Sequence, residues 1–217
     1  MADPSRGGAF FDRWSATFER DRMSTWFQHY QTRVVDRVAE IGGRELLDVG
    51  CGTGWLLRRA ARRLAACRLA GADLSRGMLA RARETARQEG QEAIGFVQAD
   101  AGALPFAPAS FDCVTCTASF HHYRDPLAVL RSWRRLLRPG GRLLLLESCT
   151  TYLPIWLYDR VLRVLERGHV RYYRTVDLVR LTEEAGFRNV RPLWREHGMF
   201  CKGKLFSSQV LVEGVVP

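Results

Sequence analysis

The chain is nearly devoid of lysine. Lys202 and Lys204 are the only two among 33 basic residues, so arginine carries the formal net charge of +10, as a GC-rich coding sequence produces. Those arginines are scattered over several predicted helix surfaces, at 58, 59, 62 and 63, at 81, 83 and 87, and at 131, 134, 135 and 138. A single basic stripe interleaved with aromatics is lacking, which argues against nucleic acid as substrate or partner. Also lacking is any apolar run of the roughly 18 residues that a transmembrane helix needs, and no apolar h-region follows Met1-Ala2-Asp3. There is no cysteine framework either. Of the six cysteines (51, 67, 113, 116, 149 and 201) only Cys113 and Cys116 are close, and within one predicted strand they point to opposite faces. The expectation is reduced thiols, no metal site and a cytoplasmic protein. Repeats and low-complexity linkers are absent, and 217 residues, 47% of them hydrophobic, suit one α/β domain.

Glycine is concentrated where the backbone must turn tightly. Leu46-Leu47-Asp48-Val49 enters Gly50-Cys51-Gly52-Thr53-Gly54, and Trp55 to Leu69 reads as a helix, so this stretch forms the first strand-turn-helix of a nucleotide-binding unit. A side chain at Gly50 or Gly52 would hold the backbone off a ligand, and the turn calls for φ values that suit only glycine. The spacing is G-x-G-x-G. A dinucleotide fingerprint would place glycine where this chain has Trp55, and Asp48 would face a pyrophosphate unfavourably but suits a ligand bearing an amine.

Further along, Arg68 to Ser75 reads as strand two, with Asp73 at its tip placed to accept from both ribose hydroxyls. Ser75 caps the helix that begins near Arg76, and Met78 either lines an adenine pocket or fills core. Phe96 to Ala101 reads as strand three and Phe111 onward as strand four, leading to His121 and His122. An amphipathic helix spans Leu127 to Leu137 and stops at Arg138-Pro139-Gly140-Gly141, and Arg142 to Glu147 is a buried strand five. Thr175 is expected to cap a helix over Val176 to Ala185 that Gly186 ends, before final strands at Val190 to Trp194 and Phe206 to Glu213.

The alternate glycines with Asp48, Asp73 and Asp100 at successive strand tips, the Phe111-Asp112 start of strand four, the histidine pair and the Leu-Arg-Pro-Gly-Gly-Arg-Leu run together resemble the class I S-adenosylmethionine-dependent methyltransferases, of the ubiquinone and menaquinone type. The resemblance implies a Rossmann-like, doubly wound seven-stranded sheet, mostly parallel with an antiparallel last strand. It also implies S-adenosyl-L-methionine held by Asp48, Gly50, Cys51, Gly52, Thr53, Gly54, Asp73, Leu74, Met78, Asp100, Ala101 and Thr117. In the family the position of Asp100 meets the adenine amino group and the next backbone amide meets the ring; Asp100 could instead serve a turn. Thr117 stands where relatives often carry Asn. Phe11 to Glu19 follows the outline of the family's N-terminal lid, with Phe18 and Glu19 where Tyr and Asp are common, so no tyrosine hydroxyl contact carries over.

One domain is expected over 1–217: a helical lid at 1–40, a cofactor core at 41–149, a substrate-side insertion at 150–176, and a last helix and strand pair at 177–217. Phe18, Trp26, Tyr30, Tyr152 and Trp156 are the candidate acceptor contacts, and His121 and His122 the candidate bases, with Glu147, His29, Tyr152 and His169 behind them. The expected activity is methyl transfer to a small molecule. A nicotinamide oxidoreductase, an RNA methyltransferase and a non-catalytic binding protein are the alternatives.

Overall fold

The computed structural model describes residues 11–20, 22–64, 66–150, 156–157, 159–161, 170–200 and 205–217. Seven strands form one sheet: β1 (Glu45–Val49), β2 (Arg68–Asp73), β3 (Gly95–Gln98), β4 (Phe111–Thr117), β5 (Leu137–Ser148), β6 (Arg188–Phe200) and β7 (Leu205–Val215), in the order β3-β2-β1-β4-β5-β7-β6. The first five pair in parallel, whereas β7 runs antiparallel between β5 and β6. Sheet topology and class therefore bear out the sequence-based expectation.

Strand alternation splits the core into two layers. Leu47, Val114, Leu143, Leu145, Val210 and Val212 pack with Leu130 and Trp133 of α4 (Pro126–Leu136) and Leu178 of α5 (Thr175–Glu184). Their neighbours Leu46, Cys113, Leu144, Leu146 and Leu211 pack against Val34, Val35 and Val38 of α1 (Arg22–Ile41) and Leu56 and Leu57 of α2 (Trp55–Arg63). Consecutive strand residues face opposite ways, so a sheet covered on both sides must be apolar at nearly every position. Cys113 and Cys116 fall in different layers, as their odd spacing requires. Trp133 is fully buried, and its indole N–H donates to the Ala101 carbonyl at 2.8 Å, tying α4 to the loop beyond β3.

Several boundaries differ from expectation. Helix α2 ends at Arg63, not Leu69, because the chain must reverse in time for the Arg68 amide to reach the Arg44 carbonyl at 2.7 Å and pair β2 with β1. Strand β3 stops at Gln98, which leaves Asp100 in the following turn. The Pro-Gly-Gly stretch is not a loop before β5 but an irregularity within it. Leu137 already pairs with Phe111, and Val216 bonds to Gly140 and Gly141, so the backbone stays in the ladder with Gly140 at φ +76°. Thr175 is the first residue of α5, not its cap; Arg174 takes the cap position, and the Thr175 hydroxyl sits 3.1 Å from Cys149 Sγ. Strands β6 and β7 extend beyond their predicted ends because each continues to pair with the other, out to Phe200 and Leu205.

Candidate active site

In an open α/β sheet a ligand crevice forms at the carboxyl ends of the strands where the order reverses, here between β1 and β4. The glycine turn leaves β1 at that point. The Gly50 and Cys51 amides both donate to the Ala72 carbonyl, at 2.8 and 3.1 Å, which folds the turn back over β2. Gly50, Gly52 and Gly54 take φ of +69°, +53° and +73°, values that strain any residue with a Cβ. A Cβ on Gly50 would come within 2.0 Å of Ser119 Oγ, whereas one on Gly52 would meet nothing within 4 Å.

Asp48 lies beneath this turn and is buried. Its Oδ1 accepts from Thr115 Oγ1 at 2.7 Å, but Oδ2 is buried without a hydrogen-bond partner. Burial raises the Asp48 carboxyl to about 7, against the lowering effect of the Thr115 bond. An orphaned buried carboxylate oxygen is costly unless a cation or donor completes it. Asp73 is better satisfied: Oδ2 accepts from the Gly52 amide and Oδ1 from the Ser75 amide, both at 2.8 Å. Burial nonetheless raises its carboxyl above the ordinary value. Ser75 caps α3 (Arg76–Gln88), as expected, accepting from the Met78 amide at 3.1 Å.

The remaining candidates divide. Cys51 and Thr53 are buried in the turn, and burial holds the Cys51 thiol well above its usual value. Leu74 is 42% exposed beside Asp73, whereas Met78 is 2% exposed and packed as core. Asp100 Oδ1 accepts from the Gly102 amide at 2.7 Å, an Asx turn that accounts for this aspartate by local structure, and the Ala101 carbonyl is held by Trp133. Thr117 accepts from Gln31 Nε2 at 2.8 Å, a contact from α1 that pattern reasoning missed.

At the ends of β4 and β5 the histidine pair gains a partner. Phe120–His122 forms a single 3-10 turn, and buried Glu147 at the end of β5 accepts from the Phe120 amide at 2.7 Å and lies 2.8 Å from His121 Nδ1. Burial raises the Glu147 carboxyl to about 7. A carboxylate beside Nδ1 assigns the proton there and makes Nε2 the basic nitrogen. His121 is buried and its ring packs at a tilt against that of His122 at 4.0 Å, and His122 meets the Phe11 ring edge-on at 5.2 Å.

From Phe11 the aromatic contacts continue to Trp14 at 6.2 Å and from Trp14 to Phe18 at 4.8 Å. Tyr172 meets the His121 ring edge-on at 4.9 Å. Trp26 and Tyr30 lie elsewhere: Tyr30 is 3% exposed and stacks on Trp194 of β6, with Trp26 edge-on to it at 4.9 Å and His29 at 5.4 Å. Their placement is that of core between α1 and the sheet. Trp156 is 40% exposed with the Arg160 guanidinium 4.7 Å above its ring; Tyr152, Tyr158 and His169 lie outside the described residues.

Asp12 also takes part. Its Oδ1 accepts from the Gly77 amide at 2.8 Å and from Ser75 Oγ at 2.5 Å, which docks the N-terminal segment on the first turn of α3. The Ser75 hydrogen bond, followed by the Gly77 amide, holds the Asp12 carboxyl below its ordinary value. A depressed carboxylate stabilises the docked state above its free value near 4 and ceases to do so as pH falls through its lowered value. The protection factor of residues 11–20, with the intrinsic pH dependence of exchange divided out, should therefore fall as pH drops from about 5 toward 3, before global unfolding. In Asp12→Ala the same residues should exchange fast throughout; protection equal to the parent's would show that the ring contacts alone hold the segment.

The fold and this strand-edge site define a class I methyltransferase architecture. Residues 47–145 match a family described as a methyltransferase domain, and the chain belongs to the class I S-adenosylmethionine-dependent methyltransferases. It is 31% identical over 147 residues to a demethylmenaquinone methyltransferase of Lactococcus lactis, covering 67% of this chain and 57% of that one. It is 38% identical over 135 residues to a ubiquinone/menaquinone biosynthesis C-methyltransferase of Paracoccus denitrificans, covering 60% and 54%. The chain thus spans a little over half the length of these curated relatives. A solved S-adenosylmethionine-dependent methyltransferase from Thermotoga maritima shares the fold, with a TM-score of 0.74 at 20% identity over 97% of this chain and all of the other.

Proposed function

We propose that the protein is an S-adenosylmethionine-dependent methyltransferase acting on a small-molecule acceptor, and that His121, backed by Glu147, takes the acceptor's proton. The observation that carries the cofactor reading is Asp48 Oδ2, buried and unpartnered under the glycine turn. A ligand with an ammonium group matches that oxygen, and the left-handed glycines let its backbone neighbours come close. When bound, S-adenosylmethionine supplies an electrophilic methyl group on a sulfonium. Asp48 would hold its amine and Asp73 its ribose hydroxyls, using the lone pairs left beside the two amide bonds.

The acceptor side rests on the His121–Glu147 contact at 2.8 Å. Glu147 holds the imidazole with Nε2 as base and stabilises the imidazolium that forms on proton abstraction. Tyr172 lies against His121 and Phe11 against His122, with Trp14 and Phe18 continuing from Phe11, and these aromatic faces support a flat or apolar acceptor. The relatives above, by their names, act on menaquinone and ubiquinone precursors, which supports that acceptor class. No described helix is long and apolar enough to cross a membrane. Cys51, Cys67, Cys113 and Cys116 are free thiols, which supports a cytoplasmic protein.

S-adenosylhomocysteine should raise the melting temperature by several degrees, measured by differential scanning fluorimetry. Asp73→Ala should weaken its binding by about 1 to 3 kcal/mol, since ribose bonds are lost and the Gly52 and Ser75 amides are released together. Parental affinity in that variant would remove Asp73 from the site. A larger thermal shift with a nicotinamide cofactor would move the protein to the oxidoreductases.

A further inference from the structure

Arg58 lies four residues beyond Gly54 on α2, among arginines that the sequence places on a solvated surface. Arg59, Arg62 and Arg63 are indeed exposed, but Arg58 is not: its side chain is 4% exposed. Its Nη1 donates to the Thr53 carbonyl at 2.5 Å and Nη2 to Glu19 Oε1 at 2.7 Å, while Nε lies 3.2 Å from Glu89 Oε2. Three segments meet on this one guanidinium: the glycine turn, the 3-10 turn Phe18–Arg20 of the N-terminal segment, and the C-terminal cap of α3. Glu89 is shared with Arg62 at 2.8 Å, so Glu19 supplies much of the charge that keeps Arg58 tolerable out of water.

We propose that Arg58 is a positioning residue that couples closure of the N-terminal segment to the shape of the cofactor turn, with Glu19 as the segment's half of the contact. This rests on the cofactor reading above. Peptides flanked by glycines at positive φ swing easily, and the guanidinium pins one of them, Thr53, from inside. When the segment lifts, Glu19 leaves and Arg58 becomes a buried cation with part of its counter-charge gone, which is strongly unfavourable. The guanidinium then shifts toward water and releases Thr53. A ligand that needs the turn in its bound shape therefore favours the closed segment, and closure favours the ligand, by the same factor.

The test is S-adenosylhomocysteine binding to the full chain, by calorimetry and stopped-flow dissociation, for the parent, Glu19→Gln and Asp112→Asn, with melting temperatures alongside. Glu19 is a quarter exposed, so its variant folds where an Arg58 truncation could fail. Glu19→Gln should raise both the dissociation rate and Kd about tenfold, within the usual range of coupling between sites. Asp112 pairs with Arg138 at 2.6 Å at the start of β4, away from the strand carboxyl ends, so Asp112→Asn should lower the melting temperature and leave Kd within about twofold. If Glu19→Gln binds within twofold of the parent, or Asp112→Asn weakens binding as much, Arg58 is a structural ion pair only and the proposal fails. A parent that binds no S-adenosylhomocysteine would overturn the cofactor reading instead.

Discussion

Replacing His121 with Gln should lower kcat roughly a hundredfold or more while S-adenosylhomocysteine affinity stays within about twofold, the range that loss of a general base gives. His121 Nδ1 is engaged by Glu147, whose other oxygen is engaged by the Phe120 amide, so the ring is held on the backbone of its own turn. Glutamine fills much of the imidazole's volume and can bond to Glu147, but it has no basic nitrogen. Glu147→Gln should cost a comparable factor by a different route: an amide can donate to Nδ1, which turns the tautomer so that Nε2 carries the proton and cannot accept one. The parent's kcat should fall on the acid side, because a proton on Glu147 removes the carboxylate that holds His121 Nδ1–H; with burial raising Glu147 to about 7, that limb lies near neutrality. His122→Gln should cost less, since it is His121 whose Nδ1 lies 2.8 Å from Glu147, whereas His122 packs tilted against His121 and edge-on to Phe11. Parental kcat and an unchanged pH profile in His121→Gln and Glu147→Gln would leave alignment alone as the source of rate, which suffices for an acceptor already unprotonated.

The second large effect belongs to Asp48. Asp48→Asn should weaken cofactor binding by roughly 10- to 150-fold, the worth of about 1.5 to 3 kcal/mol for a hydrogen bond to a charged group. The same change should stabilise the ligand-free protein at neutral and higher pH. A carboxyl whose folded value is raised is penalised for ionising, so stability falls as pH rises from the free value of 3.8 to about 7 and levels off above it. That rise corresponds to a cost on the order of 4 kcal/mol at pH 8, which asparagine removes. Melting curves should thus show the variant above the parent at pH 8 and level with it at pH 4. An ammonium ligand favours the ionised form, so binding to the parent near pH 6.5 should release a proton, read from calorimetry in buffers of different ionisation enthalpy, and binding to the variant should not. Destabilisation at pH 8, with affinity intact, would make Asp48 a structural partner of Thr115 only. A group that costs stability when empty and contributes affinity when occupied is the usual compromise of a functional site.

What the sequence determined by itself is what depends on near neighbours. Three glycines at alternate positions specify a left-handed turn because φ preference is a property of the residue. Apolar runs specify strands buried on both faces, Ser75 caps the helix that follows it, and carboxylates fall at strand tips by simple counting. The site's chemistry belongs to pairs far apart in the chain. Glu147 meets His121 only because β5 lies beside β4, and Asp12 reaches Ser75 only because the N-terminal segment crosses α3. Arg58 was read as solvated because one arginine in a run of four looks like the others until Glu19 is brought over it. Asp100 shows the reverse: a strand tip in the pattern, it closes a local turn because β3 ends at Gln98, two residues before it. Local preference is written residue by residue, whereas the field that sets a buried charge comes from whichever distant groups packing delivers, and only the assembled sheet decides that.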